Sequence, residues 1–114
     1  MTIHTLKCHP SYFQATLSGS KKAELRLNDR DYQVGDFLVL EEYFPEDHKF
    51  KRGYSGRSVR VIVTHVAANL EKCGLSPGYV ILSIMKVRIL NSGISEEFQS
   101  VPKSKPSYKP FESR

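Results

Sequence analysis

Apolar and polar residues alternate along five stretches of the chain. The second stretch, KAELRL, puts its three charged side chains on one face and its three apolar side chains on the other, which is the period of a strand. The third begins apolar on both faces and predicts a central strand. The last is the longest and is rich in β-branched residues, which favour strands. The predicted strands span residues 3–8, 22–27, 37–43, 58–66 and 79–90.

One short helix is predicted between the first two strands. Pro10 suits the first helical position, because its missing N–H group would have no partner there, and Gly19 suits the helix end. Phe13 and Leu17 lie four residues apart and share a face that packs on the core. A mainly β (α+β) chain of five strands and one helix predicts a small, strongly bent sheet that closes into a pseudo-β-barrel, since closure removes exposed edges.

The regular pattern stops near residue 90. Residues 91–114 contain three prolines and six serines and show no sustained period, which is typical of a flexible or loosely docked tail. We therefore predict one domain over residues 1–90 and a tail over residues 91–114, as suits a chain of 114 residues.

Composition is that of an ordinary globular protein with a basic excess. The net charge is +5 and the sequence pI is near 9.3, which is compatible with a polyanionic partner. No apolar run approaches the ~20 residues of a membrane span, and the N-terminus lacks a signal peptide's apolar stretch. We expect a cytoplasmic location and no membrane partner.

Neither a cofactor nor a metal ion is expected. Cys8, His9, His65 and Cys73 have suitable ligand atoms, but they lack the close spacing of a zinc site. The chain also lacks a phosphate loop, a nucleophile elbow and a metalloprotease motif. For Cys8 and Cys73, free buried thiols are favoured over a disulfide.

The charged face of the second predicted strand is the first candidate binding site. Lys22, Glu24 and Arg26 follow one another on this face at about 6.5–7 Å, so we expect Glu24 to lie between two cations. A carboxylate accepts hydrogen bonds from a base amine, and an arginine offers a planar fork to phosphate. Lys21, at the corner before the strand, adds a positive charge. The alternative is a solvated set of ion pairs of little energetic weight.

A second group of candidates belongs to the polar segment of residues 44–56, which predicts a loop with a mobile tip. Tyr54, flanked by glycines, is the best candidate platform for base stacking, ahead of Tyr32, Tyr43 and Tyr79. Nearby cations suit phosphate groups or, equally, a solvated surface: Lys49, Lys51, Arg52 and Arg57. Arg30, between two aspartates, suits either a turn contact or a ligand contact.

The same residues carry a family resemblance. The chain resembles the ASCH branch of the PUA-like superfamily, and more closely a short family of unknown function from bacteria and their phages, over residues 3 to 90. The resemblance implies a cleft beside the first helix, lined by the charged strand. In the wider superfamily such clefts bind RNA, DNA or modified nucleotides. The matching positions are Leu17-Ser18-Gly19, Lys21, Lys22, Glu24, Arg26, Val34-Gly35-Asp36, Gly53-Tyr54-Ser55-Gly56 and residues 78–82.

One small bacterial member of that superfamily is an amidohydrolase that acts on acetylated cytidine through a lysine, a threonine and a glutamate. Lys21 matches the lysine, but Glu24 replaces the threonine, and only Glu71 is placed to supply the later glutamate. Such chemistry needs a hydroxyl or an activated amine beside a base. The resemblance therefore supports hydrolysis less than binding.

The sequence leads to one principal hypothesis and two alternatives. The principal one is a module that binds RNA, single-stranded nucleic acid or a modified nucleotide. The first alternative is a nucleoside amidohydrolase that uses Lys21 and Glu24. The second is a phage-encoded inhibitor that binds a host protein through the barrel surface and the tail of residues 91–114. The binding residues of the principal hypothesis are Lys21, Lys22, Glu24, Arg26, Arg30, Lys51, Arg52, Tyr54 and Arg57.

Overall fold

The computed structural model describes residues 1–90 and 93–96. It confirms a mainly β fold with one helix between the first two strands. The elements in chain order are β1 (Ile3–Cys8), α1 (Pro10–Leu17), β2 (Ala23–Leu27), β3 (Phe37–Phe44), β4 (Gly53–Ala67), a 3-10 turn (Glu71–Cys73), β5 (Tyr79–Leu90) and β6 (Gly93–Glu96).

The strands form one mixed sheet in the order β1-β3-β4-β5-β2. β1 and β3 are parallel, and the other pairs are antiparallel. The sheet is bent into a half-barrel, so the two ends of the order, β1 and β2, approach each other. The opening between β1 and β2 is called the seam below. As the sequence predicts, β3 is an internal strand.

The sheet extends into the segment that the sequence predicts as a tail. β6 pairs with the end of β5, from Leu90↔Gly93 to Val87↔Glu96. The prediction of a flexible tail otherwise falls on residues 91–92 and 97–114, which lie outside the described residues, as does the tail-based interaction hypothesis.

The core fills the concave side of the half-barrel. Leu38, Leu40, Val61 and Leu82 are completely buried at alternating positions of β3, β4 and β5, and Phe13 of α1 is completely buried with them. The helix packs on β3 and β4. The buried residues of these three strands thus follow the period of two that is typical of a strand.

The predicted loop of residues 44–56 is wrong in its extent. β3 continues to Phe44, and β4 begins at Gly53, so Tyr54 lies on a strand. A bulge between Glu41 and Tyr43 re-registers the pair, and the rings of Tyr43 and Tyr54 then meet with centroids 4.8 Å apart. This cross-strand aromatic contact outweighs the poor strand propensity of the glycines around it.

The turn before β3 explains the Val-Gly-Asp motif. Gly35 has φ +93°, a conformation that glycine adopts at low cost, and its N–H donates to Val63 O at 2.8 Å. Asp36 then accepts hydrogen bonds from Thr2 N, Gln33 N and His4 Nε2 at 3.1, 3.0 and 2.9 Å. The motif thus joins the start of β1 to the start of β3.

The two cysteines differ in exposure. Cys8 is buried, whereas Cys73 is exposed on the 3-10 turn. The expectation that both thiols are buried is therefore wrong for Cys73, because this short turn lies outside the core. Among the helices of the described residues, none has the length and apolar character needed to cross a bilayer.

Candidate functional site

The charged face of β2 points into the half-barrel. Glu24 pairs with Leu82 of β5, and Arg26 pairs with Val80. Directly opposed residues share a face of the sheet, and both apolar partners are core residues with at most 1% exposure. Glu24 and Arg26 therefore extend from the concave side.

Glu24 is completely buried between two cations. Arg26 Nε donates to Glu24 Oε2 at 2.9 Å, and Lys21 Nζ contacts Glu24 Oε1. Lys22 is exposed, so the cation that brackets Glu24 together with Arg26 is Lys21 and not the same-face neighbour. The reason is local: Lys21 N donates to Ala15 O at 3.0 Å, which ties the corner to α1.

Two arginines cross the seam and bond to the backbone of β1. Arg26 Nη2 donates to Lys7 O at 2.8 Å, and Arg30 Nη1 donates to Thr5 O at 3.2 Å. Backbone carbonyl groups alternate in direction along a strand. Thr2 O bonds to Phe37 N of β3, so the carbonyl groups of every second residue after Thr2 point toward β3. Those of Thr5 and Lys7 point toward the seam. The N–H and C=O groups of an edge strand thus line the opening.

A cleft of about 380 Å³ lies at the seam. Its lining combines three cations, two carboxylates and two tyrosines with apolar and hydroxyl surface. Arg30 is the more accessible arginine, with 45% of its side chain exposed against 18% for Arg26. The lining residues are Thr5, Leu6, Lys7, Arg26, Leu27, Asp29, Arg30, Tyr32, Glu41 and Tyr54.

The two tyrosines of the cleft differ in accessibility. Tyr32 is 3% exposed and its ring meets His4 at 4.8 Å. Burial raises the pKa of Tyr32 against the opposing effect of the Arg26 charge, so the phenol stays neutral at physiological pH. Tyr54 is 56% exposed and offers its ring to a ligand. Lys7 Nζ lies 4.3 Å from the ring centroid of the adjoining Tyr43.

Sequence reasoning missed another buried carboxylate, Glu42. It follows Leu38 and Leu40 on the inward face of β3 and is 4% exposed. Arg57 holds it with two hydrogen bonds of 3.0 Å, from Nε and Nη2, while the guanidinium lies 5.0 Å from the ring centroid of Phe13. The Arg57 hydrogen bonds lower the pKa of Glu42, although burial opposes them. The sequence held a signal for this pair, since an acidic residue occupies a position of the strand that the alternation turns inward.

The predicted site residues therefore separate into distinct groups. Arg26, Arg30 and Tyr54 line the seam cleft, with Lys21 and Glu24 in contact behind Arg26. Lys51 and Arg52 lie on the connection between β3 and β4, outside the cleft lining. Lys22 and Arg57 do not line the cleft either.

Metal binding has no support within the part of the chain that the structure describes. No group of three or more histidine, cysteine, aspartate or glutamate side chains is placed to hold an ion there. The chemistry available at the seam is that of hydrogen bonding, charge and aromatic contact.

Three comparisons place the chain among known proteins. It is 40% identical over 65 residues to the "Uncharacterized 12.9 kDa protein in GpA 3'region" of Escherichia phage P2, a match that spans 56% of this chain and 53% of that protein. The chain thus covers about half the length of this relative. The crystal structure of hypothetical protein PH0355 superposes with a TM-score of 0.48 at 18% identity, over 75% of this chain and 99% of that one.

The third comparison is with models of protein families. The matching model is described as "Domain of unknown function (DUF3850)" and covers residues 3–84, from the first residue of β1 to the middle of β5. That range includes the whole seam and every residue that lines the cleft. The chain belongs to the DUF3850 family.

Proposed function

We propose that the chain is a nucleic-acid or nucleotide-binding module of the ASCH branch of the PUA-like superfamily, with its ligand in the seam cleft. The observation that carries the proposal is the pair of arginines, Arg26 and Arg30, that reach across the seam to the edge of β1. Guanidinium groups bind phosphate with a planar fork of donors.

The charges of the cleft suit a nucleotide better than a simple anion. Its cations are Lys7, Arg26 and Arg30, and its carboxylates are Asp29 and Glu41. The cations match phosphate, whereas a carboxylate accepts a hydrogen bond from the exocyclic amine of a base. Tyr54 supplies an exposed ring on which that base stacks.

Glu24 has a positioning role in this proposal rather than direct contact with the base. The carboxylate is completely buried, and its two oxygens contact Lys21 and Arg26. Two of the five guanidinium donors of Arg26 bond to Glu24 and to Lys7 O, and others remain for a ligand. Glu24 thus fixes the direction in which Arg26 presents its donors.

Fluorescence anisotropy with labelled RNA, single-stranded DNA and duplex DNA tests the proposal. We expect binding that weakens with salt, with log K against log salt falling at a slope of about −2 for three contacts to single-stranded phosphates. Arg30→Gln should weaken binding about fivefold, because it removes one exposed charge-assisted hydrogen bond worth about 1 kcal/mol.

The matched control is Arg60→Gln. Arg60 is an exposed arginine of β4 and does not line the cleft, so its loss changes the net charge equally and should leave the affinity nearly unchanged. Equal effects of the two substitutions would show general charge attraction instead of a site. Absence of binding at about 50 mM salt would refute the proposal, since phosphate contacts strengthen as salt falls.

The contact between Lys21 and Glu24 favours one second candidate, a nucleoside amidohydrolase. A lysine next to a buried carboxylate is a proton-transfer pair, but Lys21 would have to leave Glu24 to attack a carbonyl carbon. Incubation with acetylated cytidine, followed by chromatography, tests this candidate. It requires a deacetylated product from the wild type and none from a folded Lys21→Ala variant.

A further inference from the structure

The connection between β3 and β4 and the start of β4 present two aromatic rings to solvent. The name hairpin tip is used here for residues 45–54. Phe50 is 83% exposed and Tyr54 is 56% exposed, whereas Phe13 and Tyr32 are at most 3% exposed. Exposed rings that lie near one another mark a binding surface more often than scattered ones do.

Two lysines of the hairpin tip lie close to aromatic rings. Lys49 Nζ lies 6.0 Å from the ring centroid of Phe50, and Lys51 Nζ lies 5.5 Å from that of Phe44. The sequence from residue 49 to residue 57 contains four cations and no carboxylate; the acidic residues of the hairpin tip, Glu46 and Asp47, precede it. The surface around Phe50 therefore combines stacking area with positive charge.

His48 holds the hairpin tip in shape. Its Nδ1 accepts hydrogen bonds from the N–H groups of Phe50 and Lys51 at 3.3 and 3.1 Å. Its ring meets Phe44 at 4.7 Å, and His48 N donates to Pro45 O at 2.9 Å. The backbone of Phe50 is thus held in a folded turn, which lowers the backbone entropy that binding would cost.

The hairpin tip adjoins the seam cleft through Tyr54. This residue belongs to the cleft lining and stands four residues from Phe50 along the chain, a distance of at most about 14 Å. A chain of nucleotides that enters the cleft can therefore continue over the hairpin tip.

We propose that the hairpin tip is a second subsite, in which Phe50 stacks on a base while Lys49, Lys51 and Arg52 contact phosphates. The ligand is then a single-stranded nucleic acid of several nucleotides and not a free nucleotide. A paired duplex does not offer its base faces to Phe50, whereas a single strand does, whatever its sequence. The inference rests on the proposed function of the cleft.

The first test compares a mononucleotide with a single-stranded oligonucleotide of about twelve nucleotides by isothermal titration and anisotropy. We expect Phe50→Ala to weaken oligonucleotide binding about tenfold and to leave mononucleotide binding unchanged, because only the longer ligand reaches Phe50. Val34→Ala is the control. Val34 is 63% exposed and precedes β3, whereas Phe50 follows its other end.

The second test uses fluorescence, since the chain contains no tryptophan. Phe50→Trp introduces one at the hairpin tip, and Val34→Trp introduces one at the opposite end of β3. Stacking of a base on the indole should quench the emission of Phe50→Trp when the oligonucleotide is added and leave Val34→Trp unchanged. The mononucleotide should quench neither variant.

The outcomes separate the two proposals. Binding of both ligands with no effect of Phe50→Ala and no quenching of Phe50→Trp would overturn the subsite and leave the cleft intact. Loss of mononucleotide binding in Phe50→Ala would also overturn the subsite, because Phe50 would then affect the cleft ligand itself or the fold as a whole. If the wild type binds neither the mononucleotide nor the oligonucleotide, both proposals are overturned.

Discussion

Two buried carboxylates, Asp36 and Glu24, lie at different ends of the same sheet and have different partners. Asp36 is 3% exposed and Glu24 is 0% exposed. Asp36 accepts hydrogen bonds from two backbone N–H groups, of Thr2 and Gln33, and from the His4 ring. Glu24 contacts the charged ends of Lys21 and Arg26, and Arg26 continues to the edge of β1.

The partners indicate what each carboxylate does. The backbone groups held by Asp36 define where β1 and β3 begin, so this acid fixes the path of the chain. The arginine held by Glu24 lines a cleft, so this acid fixes the direction of a side chain that a ligand can meet. Burial of a charge is costly for both carboxylates, but only Glu24 orients a side chain that is accessible to a ligand. We expect substitutions to separate stability from binding accordingly.

The largest effect on stability is expected for Asp36→Ala. The change leaves two backbone donors and the His4 ring in a buried region without their acceptor, which should lower the free energy of unfolding by about 3 kcal/mol. Urea denaturation followed by circular dichroism measures this loss. Oligonucleotide affinity of the protein that remains folded should stay close to that of the wild type.

Asp47→Ala is the control for this experiment. Asp47 is an exposed aspartate of the β3–β4 connection, and its removal should change the free energy of unfolding by less than about 0.5 kcal/mol. A similar loss in both variants would mean that Asp36 contributes no more than a surface charge does. That result would end the distinction between the two buried acids.

Glu24→Gln should affect both stability and binding. The neutral amide keeps the shape of the side chain but leaves Lys21 and Arg26 without a counter-charge, at a cost of about 2 kcal/mol in the free energy of unfolding. Because Arg26 then loses its fixed direction, oligonucleotide affinity should fall about tenfold. Denaturation and anisotropy on the same preparation measure the two changes.

Glu46→Gln provides the comparison for the change of charge. Glu46 is exposed in the β3–β4 connection, so its substitution removes the same charge without touching the seam. We expect unchanged stability and unchanged or slightly tighter binding, since less negative charge then opposes the phosphates. Wild-type affinity in Glu24→Gln would refute the positioning role of Glu24.

The sequence indicates the elements of this fold better than it indicates which face of β2 is buried. Alternation in residues 22–27 separates charged from apolar side chains, and the rule that apolar faces turn inward would bury Leu25 and Leu27. In the structure Leu25 is buried at 7% exposure, but Leu27 is 48% exposed and Glu24, on the opposite face, is completely buried. The register with β5 decides this, and pairing between strands far apart in sequence cannot be read from one strand alone.

Other features of the site depend on contacts of the same kind. The sequence predicts Lys22 as a partner of Glu24, whereas the structure shows Lys21. The difference follows from the hydrogen bond between Lys21 N and Ala15 O, which places Lys21 at the corner before β2. Glu42, in contrast, was accessible to sequence reasoning, because it occupies an inward position after Leu38 and Leu40. A charged residue at an inward position of a strand predicts a partner of opposite charge.

The smallest expected effect concerns the response to acid. Burial acts to raise the pKa of Asp36, but the hydrogen bonds from His4, Gln33 N and Thr2 N outweigh it and lower the pKa. A carboxyl group whose folded pKa is lowered stabilises the fold above its unfolded pKa, about 4, and this contribution is lost as pH falls through the folded value. The free energy of unfolding should therefore decrease below about pH 4, and it should decrease less in Asp36→Ala.

Glu42→Gln extends the pH experiment to the third buried carboxylate, which has neither the backbone donors of Asp36 nor the two cations of Glu24. Its pKa is lowered by Arg57, yet 52% of the Arg57 side chain is exposed, so solvent screens the pair and its contribution should be the weaker one. Urea denaturation of the wild type, Asp36→Ala and Glu42→Gln at neutral pH and below pH 4 gives the decrease in the free energy of unfolding with acid for each protein. Asp36→Ala should remove more of the loss than Glu42→Gln does. The reverse order would mean that the exposed Arg57 stabilises the ionised Glu42 more than the backbone donors stabilise the ionised Asp36. Glu42 would then be the carboxylate that contributes most to the acid dependence of the fold.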